Sequence, residues 1–298
     1  MKRFLLLSTF LLCFGTVIAQ EKAVGQQIAK EPTAEELYEK AFDYVYGRNG
    51  VIMDSIKAVE LFEQSANMGF AKAQVERAYR EKSDSAALNW LLKAAAQDCH
   101  DAMRPLFGIY YNSRNDVPKN NEEAYKWLKK GAELGNPWCQ WIWGFTLHIG
   151  DDGFSVNVNQ AIYWLEKAAN QNQANAMTEL GEMYQEGDLV KRDIKKAIYW
   201  YEKASELEEK VALEKLGIIY MFGDGVDVDK EKAFKLIKSA ASLGQVTSQI
   251  KLGIMFKDGI GCPKDKNATY YWWETALKNP EITPEDKEDV KSWLDKLW

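Results

Sequence analysis

Small and large apolar residues recur along this chain at a nearly constant spacing, inside stretches otherwise rich in Lys, Glu and Asn. One column is Ala58, Ala87, Ala124, Ala161, Ala197, Ala233 and Ala268, with steps of 29, 37, 37, 36, 36 and 35 residues. Three residues after each comes a large side chain: Leu61, Trp90, Trp127, Trp164, Trp200, Leu236 and Tyr271. Eight residues after each comes a small one, from Ala66 and Ala95 to Ser205, Ala241 and Ala276. Offsets of 0, 3–4 and 7–8 trace one face of a helix. A second column is Gly108, Gly144, Gly181, Gly217 and Gly253, with Ala41 and Ala78 filling it in the first two units. Tyr44, Tyr111, Leu147, Tyr184, Tyr220 and Phe256 follow three residues later, and Glu81 breaks this column in the short second unit.

Each unit therefore predicts two antiparallel helices, A then B. Gly or Ala in helix A lets helix B approach closely, and the small residues of B do the same in return. Trp and Tyr fill the space between these contacts. One such pair cannot bury its apolar face alone, whereas stacked pairs bury a continuous core.

The fifth unit reads Ala176-Met177-Thr178-Glu179-Leu180-Gly181-Glu182-Met183-Tyr184-Gln185-Glu186-Gly187, then Lys196-Ala197-Ile198-Tyr199-Trp200-Tyr201-Glu202-Lys203-Ala204. The sixth adds the loop Gly223-Asp224-Gly225-Val226. These residues resemble the Sel-1-like repeat, a relative of the tetratricopeptide repeat with a longer A–B loop. The resemblance implies an all-α fold, a right-handed αα superhelix of about seven antiparallel helix pairs. Its units fall at 34–69, 70–98, 99–135, 136–172, 173–208, 209–244 and 245–279, with a capping helix over 280–298. Units three to seven match best. The first lacks the glycine and the second has lost most of its A–B loop.

The ends agree with such a stack. Thr33-Ala34-Glu35-Glu36 predicts a capping box opening the first helix after a polar segment over 20–33. Thr283-Pro284-Glu285-Asp286 predicts an N-cap with proline at the first helical position. Trp293, Leu294, Leu297 and Trp298 share one side of that helix and would cover the open end, or meet a partner. At the start, Lys2-Arg3, an apolar run from Phe4 to Ile18 and Val17-Ile18-Ala19 predict a signal peptide cleaved after Ala19. A retained N-terminal anchor is the alternative. No other stretch reaches the ~18 apolar residues of a membrane span. The expectation is an exported protein, periplasmic or extracellular.

Charge narrows the partners. The chain has 38 Lys and Arg against 44 Asp and Glu, a formal net charge of −6. Phosphate binding needs the opposite balance, so nucleic acid is not an expected partner, and neither is a polybasic membrane contact. Cys99, Cys139 and Cys262 follow the leader. A Cys99–Cys139 bridge is conceivable, but Cys in such places is more often a small buried apolar residue.

Catalytic and cofactor motifs are lacking. Gly223-Asp224-Gly225 and Gly259-Ile260-Gly261 are turns between helices and do not follow strands as phosphate-binding loops do. No metal-ligand spacing occurs, and His100 and His148 are far apart in the repeat order. The expectation is no metal, no cofactor and no enzymatic activity. Asn267-Ala268-Thr269 matches a glycosylation acceptor but reads better as a helix cap.

The resemblance also implies that A helices line a concave groove. The first two units would offer Tyr38, Phe42, Tyr46, Val75 and Tyr79, and the third Ile109 and Asn112. The fourth offers Trp138, Trp141, Phe145 and His148, a concentration of aromatics unusual on this face. The fifth offers Thr178, Glu182 and Glu186, the sixth Glu214, Ile218 and Phe222, and the seventh Ile250 and Ile254. Trp138, Trp141 and Phe145 fall at i, i+3 and i+7 and would form an aromatic anchor, with Glu182, Glu186 and Glu214 as an acidic rim. The alternative is that these aromatics only fill the superhelix. The leading expectation is a non-enzymatic scaffold that binds a peptide or a partner's helix. Rival readings are a glycan-binding protein, stacking sugars on Trp, and a hydrolase using Glu182, Glu186 or Glu214.

Overall fold

The computed structural model describes residues 31–112, 116–150 and 153–296. The expected leader, as well as Leu297 and Trp298, lies outside them. The described residues form α-helices joined by turns, with no strand among them. Two compact units are present. The first, up to Lys82, holds α1 (Ala34–Tyr46), α2 (Ser55–Asn67) and α3 (Ala71–Ala78). The second, from Ser83, begins with α4 (Asp84–Ala95), a 3-10 turn (His100–Ala102), α5 (Met103–Asn112) and α6 (Asn121–Glu133). It continues with α7 (Pro137–Ile149), α8 (Val158–Ala169), α9 (Ala174–Glu186) and α10 (Ile194–Ser205). Then come α11 (Lys210–Phe222), α12 (Lys230–Ser242), α13 (Val246–Asp258), α14 (Lys266–Lys278) and α15 (Pro284–Asp295).

The A–B loops follow one local rule. A helices α1, α7, α9, α11 and α13 stop at Gly47, Gly150, Gly187, Gly223 and Gly259, all left-handed. A residue without a Cβ adopts that conformation at little cost. The next helix starts on an Asp or Asn whose carboxylate or amide oxygen accepts an orphan backbone N–H, as in Asp193 from Lys196 and Asp229 from Lys232. The backbone N–H of the same cap donates back to helix A: Asp193 to Tyr184 O at 2.8 Å and Asp229 to Tyr220 O at 2.9 Å. Lys196 and Lys232 then lie over the Tyr184 and Tyr220 rings, at 4.7 and 3.7 Å.

Packing within each pair corrects the sequence reading in three places. The fully buried large residue of the first six B helices comes four, not three, positions after the small one: Phe62, Leu91, Leu128, Leu165, Tyr201 and Ile237; in the seventh it is Trp273, five after Ala268. The Trp column is half-buried beside it. A Cβ on Gly181, Gly217 or Gly253 would fall 2.5 Å from Tyr201, 2.7 Å from Ile237 and 2.3 Å from Trp273, which explains those glycines. Gly108 has no such neighbour: the nearest atom, at 3.9 Å, belongs to Asn112 of its own helix. In the seventh repeat the register moves by one. Asp265 caps α14, not Asn267, so the first core residue is the buried Thr269 in place of Ala268. Tyr271 is consequently exposed, and Trp272 takes the Trp column.

No disulfide joins Cys99, Cys139 or Cys262, so no Cys99–Cys139 bridge forms. Cys139 is buried where a Cβ on Gly131 would meet its Sγ at 2.5 Å, a place only a small side chain fits. Burial pushes its thiol up to about 12. Both predicted ends form. Thr33 and Glu36 complete a capping box. Thr283 caps α15, whose Val290 is buried with Ile250 and Trp273 while Trp293 and Leu294 pack beside them.

Candidate functional site

Asn136 caps α7 and Pro137 occupies its first turn, so the helix begins directly at the aromatic segment. Trp138, Trp141 and Phe145 are all half-buried. Trp138 meets Trp141 edge-on at 6.4 Å and Phe107 at 5.8 Å, and the Arg104 guanidinium lies over its ring at 4.8 Å. Trp141 packs against the core of the following repeats, and its Nε1 is buried without a hydrogen-bond partner. The ring faces of Trp138 are thus largely used by its own chain. Trp143 belongs to the core, edge-on to Phe154 at 5.1 Å.

The acids expected as a rim are mostly committed to other residues. Glu182 pairs with Lys215 at 2.6 Å. Glu214 is buried, not on a rim, and holds Lys251 Nζ at 2.6 Å, Thr247 Oγ1 at 2.6 Å and Gln245 Nε2 at 2.9 Å. Burial alone would raise the Glu214 carboxyl, but these three donors, led by Lys251, hold it below the ordinary glutamate range. His148 Nδ1 lies 2.6 Å from Glu179 Oε1. That hydrogen bond, reinforced by the charges of Glu179, Glu186 and Glu182, raises the imidazole above its usual value despite burial. Thr178 donates to Glu209 at 3.0 Å in the same manner.

These bonds form a staircase in which a side chain of one A helix meets a residue 31 to 37 positions later: His148–Glu179, Thr178–Glu209, Glu182–Lys215 and Glu214–Lys251. The sequence reading missed Glu179, Lys215 and Lys251. A complementary charge one repeat onward was the available signal.

What stays exposed is a different column, five residues after the helix-A glycine: Ile149, Glu186 and Phe222. Phe222 is 74% exposed, and Ile218, one turn earlier, is half-buried. In the first unit, Tyr38 and Phe42 pack edge-on against Phe62 at 5.5 and 5.1 Å, while Tyr79 is 64% exposed. Val75, Ile109 and Ile250, also expected on this face, are buried. Among the described residues no group of three or more His, Cys, Asp or Glu side chains is arranged to hold a metal ion, and no helix is long and apolar enough to cross a membrane.

A model of the Sel1 repeat matches the chain over residues 44–70, 77–99, 101–136, 139–173, 174–208, 210–245 and 246–279. The chain belongs to the Sel1 repeat family. Solved structures share the fold of this Sel1 protein. A Sel1 repeat protein from Oxalobacter formigenes superposes with a TM-score of 0.71 at 24% identity, covering 91% of this chain and 78% of that one. A protective antigen of uropathogenic Escherichia coli strains, which displays an SLR fold, gives 0.58 at 24% identity, over 91% and 66%. Among curated relatives, chitin synthase regulatory factor 3 of Schizosaccharomyces pombe is 32% identical over 144 residues, 45% of this chain and 15% of that protein. The chitin synthase regulator SKT5 of Saccharomyces cerevisiae is 29% identical over 162 residues, 51% and 23%. The Sel1 chain therefore aligns with less than a quarter of either regulator.

Within this Sel1 stack the glycine column and the buried B-helix column account for the fold. The staircase and the exposed column vary from repeat to repeat, and they carry the chemistry available for recognition.

Proposed function

We propose that this protein is a non-enzymatic scaffold that holds a peptide or a partner's helix along the A-helix face of its fourth to sixth repeats. The exposed column Ile149, Glu186 and Phe222 carries the reading. Phe222 is a large apolar side chain left in water at the end of α11, and it lies in register with an acid and an isoleucine one and two repeats earlier. Aromatic anchors of this kind dominate protein recognition. Two relatives named as regulators of chitin synthase support the same reading. The groove aromatics Trp138, Trp141 and Phe145 then support this face from below more than they touch the partner. The reading includes a leader over residues 1–19 cleaved after Ala19 and a periplasmic or extracellular location, supported by the basic start and apolar run, and N-terminal sequencing of the protein from the parent cell checks it.

The test is photo-crosslinking from position 222 in the parent cell, with position 235 on helix B as control. A specific adduct from 222 alone is expected. Adducts from 235 alone would move the docking face to the B helices.

A second reading has one observation in its favour. Tyr163–Trp164, Tyr199–Trp200 and Tyr271–Trp272 form three edge-on pairs of nearly equal geometry, with ring centroids 5.0, 5.0 and 5.2 Å apart. Their tyrosines are at least half exposed. Repeated aromatic platforms suit stacking of sugar rings, and quenching of tryptophan fluorescence by an oligosaccharide would favour this glycan reading. The hydrolase reading loses support: an acid catalyst needs a raised carboxyl, whereas Glu182 is salt-bridged and Glu214 is held low.

A further inference from the structure

Between the fourth and fifth repeats lies a hollow of about 410 Å³, within the size range of ligand sites. Ile149, Val156, Met183 and Leu189 form its apolar wall, and Glu186 and Asp188 face it from the end of α9 and the loop that follows. Gly187 puts both acids there. Its φ of 75° turns the chain sharply, and a Cβ at this position would fall 2.5 Å from Arg192 Cβ and 2.9 Å from its Cα. Ile149, Val156 and Leu189 are each about half exposed, at 47%, 48% and 49%.

Charge around the hollow does not balance. His148 is matched by Glu179, and Lys215 by Glu182. Lys191, the nearest cation in sequence, is exposed and pairs with neither acid, and Arg192 is taken by Asp224, whose two oxygens both lie 2.6 Å from its Nη2. Glu186 and Asp188 are left with no counter-ion among the described residues, beside three half-open apolar side chains and the buried Met183. A guanidinium is planar, always charged and able to bridge two carboxylates, and its stem packs on apolar surface.

We propose that this hollow is a socket for an arginine side chain of a partner polypeptide, with a neighbouring apolar residue seated on Leu189 and Val156. The proposal rests on the scaffold reading above and names what one part of that face selects. A partner segment with Arg beside Leu or Ile fits it, whereas an acidic segment is repelled.

The probe is the blocked peptide acetyl-Gly-Leu-Arg-Leu-Gly-amide, titrated into the full chain while the backbone amides of Leu189 and Val190 are followed by NMR. Saturable shifts at these amides are expected. Affinity should fall about tenfold when Gln replaces Arg in the peptide, and by a similar factor in the Glu186→Gln/Asp188→Asn double variant. Both acids are exposed and unpaired, so that variant keeps its fold, which its unchanged remaining spectrum confirms. Leu189→Ser should weaken binding severalfold, and added salt should weaken only the Arg peptide on the parent chain. Equal binding of the Gln peptide would overturn the socket in favour of a plain apolar patch. Equal binding by the double variant would place the cation elsewhere. L-arginine methyl ester binding as tightly as the peptide would make this a small-cation site. No shift at the solubility limit of the peptide would reject the socket outright. A positive crosslink from position 222 beside any of these failures leaves the scaffold standing and removes the socket alone.

Discussion

The first and fifth repeats fill the same helix-A positions with opposite chemistry. Three before, one after and five after the small column residue, the first repeat carries Tyr38, Phe42 and Tyr46, and the fifth carries Thr178, Glu182 and Glu186. In the first, Tyr38 and Phe42 are edge-on at 5.1 Å, Phe42 and Tyr46 stack at 6.0 Å, and Phe62 of the same repeat closes the cluster. In the fifth, Thr178 and Glu182 reach out to Glu209 and Lys215 of the following repeat, and Glu186 faces water. One repeat satisfies this face internally, and the other uses it to fix its neighbour. The fold tolerates both because in each repeat a small helix-A residue, Ala41 or Gly181, admits a large buried side chain of helix B, Phe62 or Tyr201.

If that division is right, the shared column should be equally unforgiving in both repeats. Ala58 and Ala197 are buried at 2% and 0% exposure. Ala58→Asp and Ala197→Asp each bury an unpaired charge and should cost at least about 3–5 kcal/mol. Lys203→Asp, on the outer side of α10 where Lys203 meets only Glu206, should cost less than about 1 kcal/mol. Equal melting temperatures for Ala197→Asp and Lys203→Asp would break the division.

This shared column was legible in the sequence because packing two helices closely demands a small residue at a fixed place, and seven copies make the demand visible. The face positions were legible only as a list. Reading them required knowing whether a side chain turns to its own repeat or to the next, and that depends on a rotamer and on the residue it meets. Glu214 seemed to be a rim acid because the lysine that takes it up, Lys251, stands 37 residues away, and neither nearby Lys210 nor Lys215 is its partner. The shift of the seventh repeat was hidden because Ala268 fits the alanine spacing almost as well as Thr269 fits the cap.

Truncating the face positions should separate the repeats. Phe42 is half-buried among three rings, so Phe42→Ala should cost about 2 kcal/mol. Glu182 and Lys215 are about 30% exposed, and Glu182→Ala should cost under about 1 kcal/mol. Denaturant midpoints measured on both variants give the comparison, and a larger loss for Glu182→Ala would reverse the roles assigned to the two faces.

The turn after helix B offers a change of opposite sign. The first repeat places Gly69 there at φ 98°, and the fifth places Glu208 at φ 57°. A side chain at Gly69 would have no atom within 4 Å, so the turn is limited by backbone conformation and not by space. A non-glycine residue in the left-handed region costs about 1–2 kcal/mol, partly offset by the greater freedom of glycine when unfolded. Glu208→Gly should therefore stabilise by about 0.5–1 kcal/mol, raising the melting temperature by roughly 1–4 °C. A decrease would show that Glu208 makes a contact worth more than its strain.

The smallest effect concerns pH. Glu179 of the fifth repeat has Glu39 as its counterpart in the first, but only Glu179 meets a histidine. His148 faces Glu179, Glu186 and Glu182, with Lys215 neutralising the last and Asp188 across the hollow. Its imidazole is raised above the ordinary histidine value of about 6.5 by the hydrogen bond to Glu179, so folding favours the protonated form. A group raised on folding contributes its full stabilisation below the unfolded value and loses it as pH climbs through the folded one. His148→Gln should thus lower the melting temperature at pH 5.5, where the pair is charged, and the gap from the parent should narrow by pH 8.5. The side chains are 17% and 12% exposed, and a pair of this kind is worth about 1 kcal/mol or less, equivalent to roughly 2–4 °C in a chain of this size. A gap that stays constant, or widens toward pH 8.5, would mean that His148 serves this junction as a neutral ring.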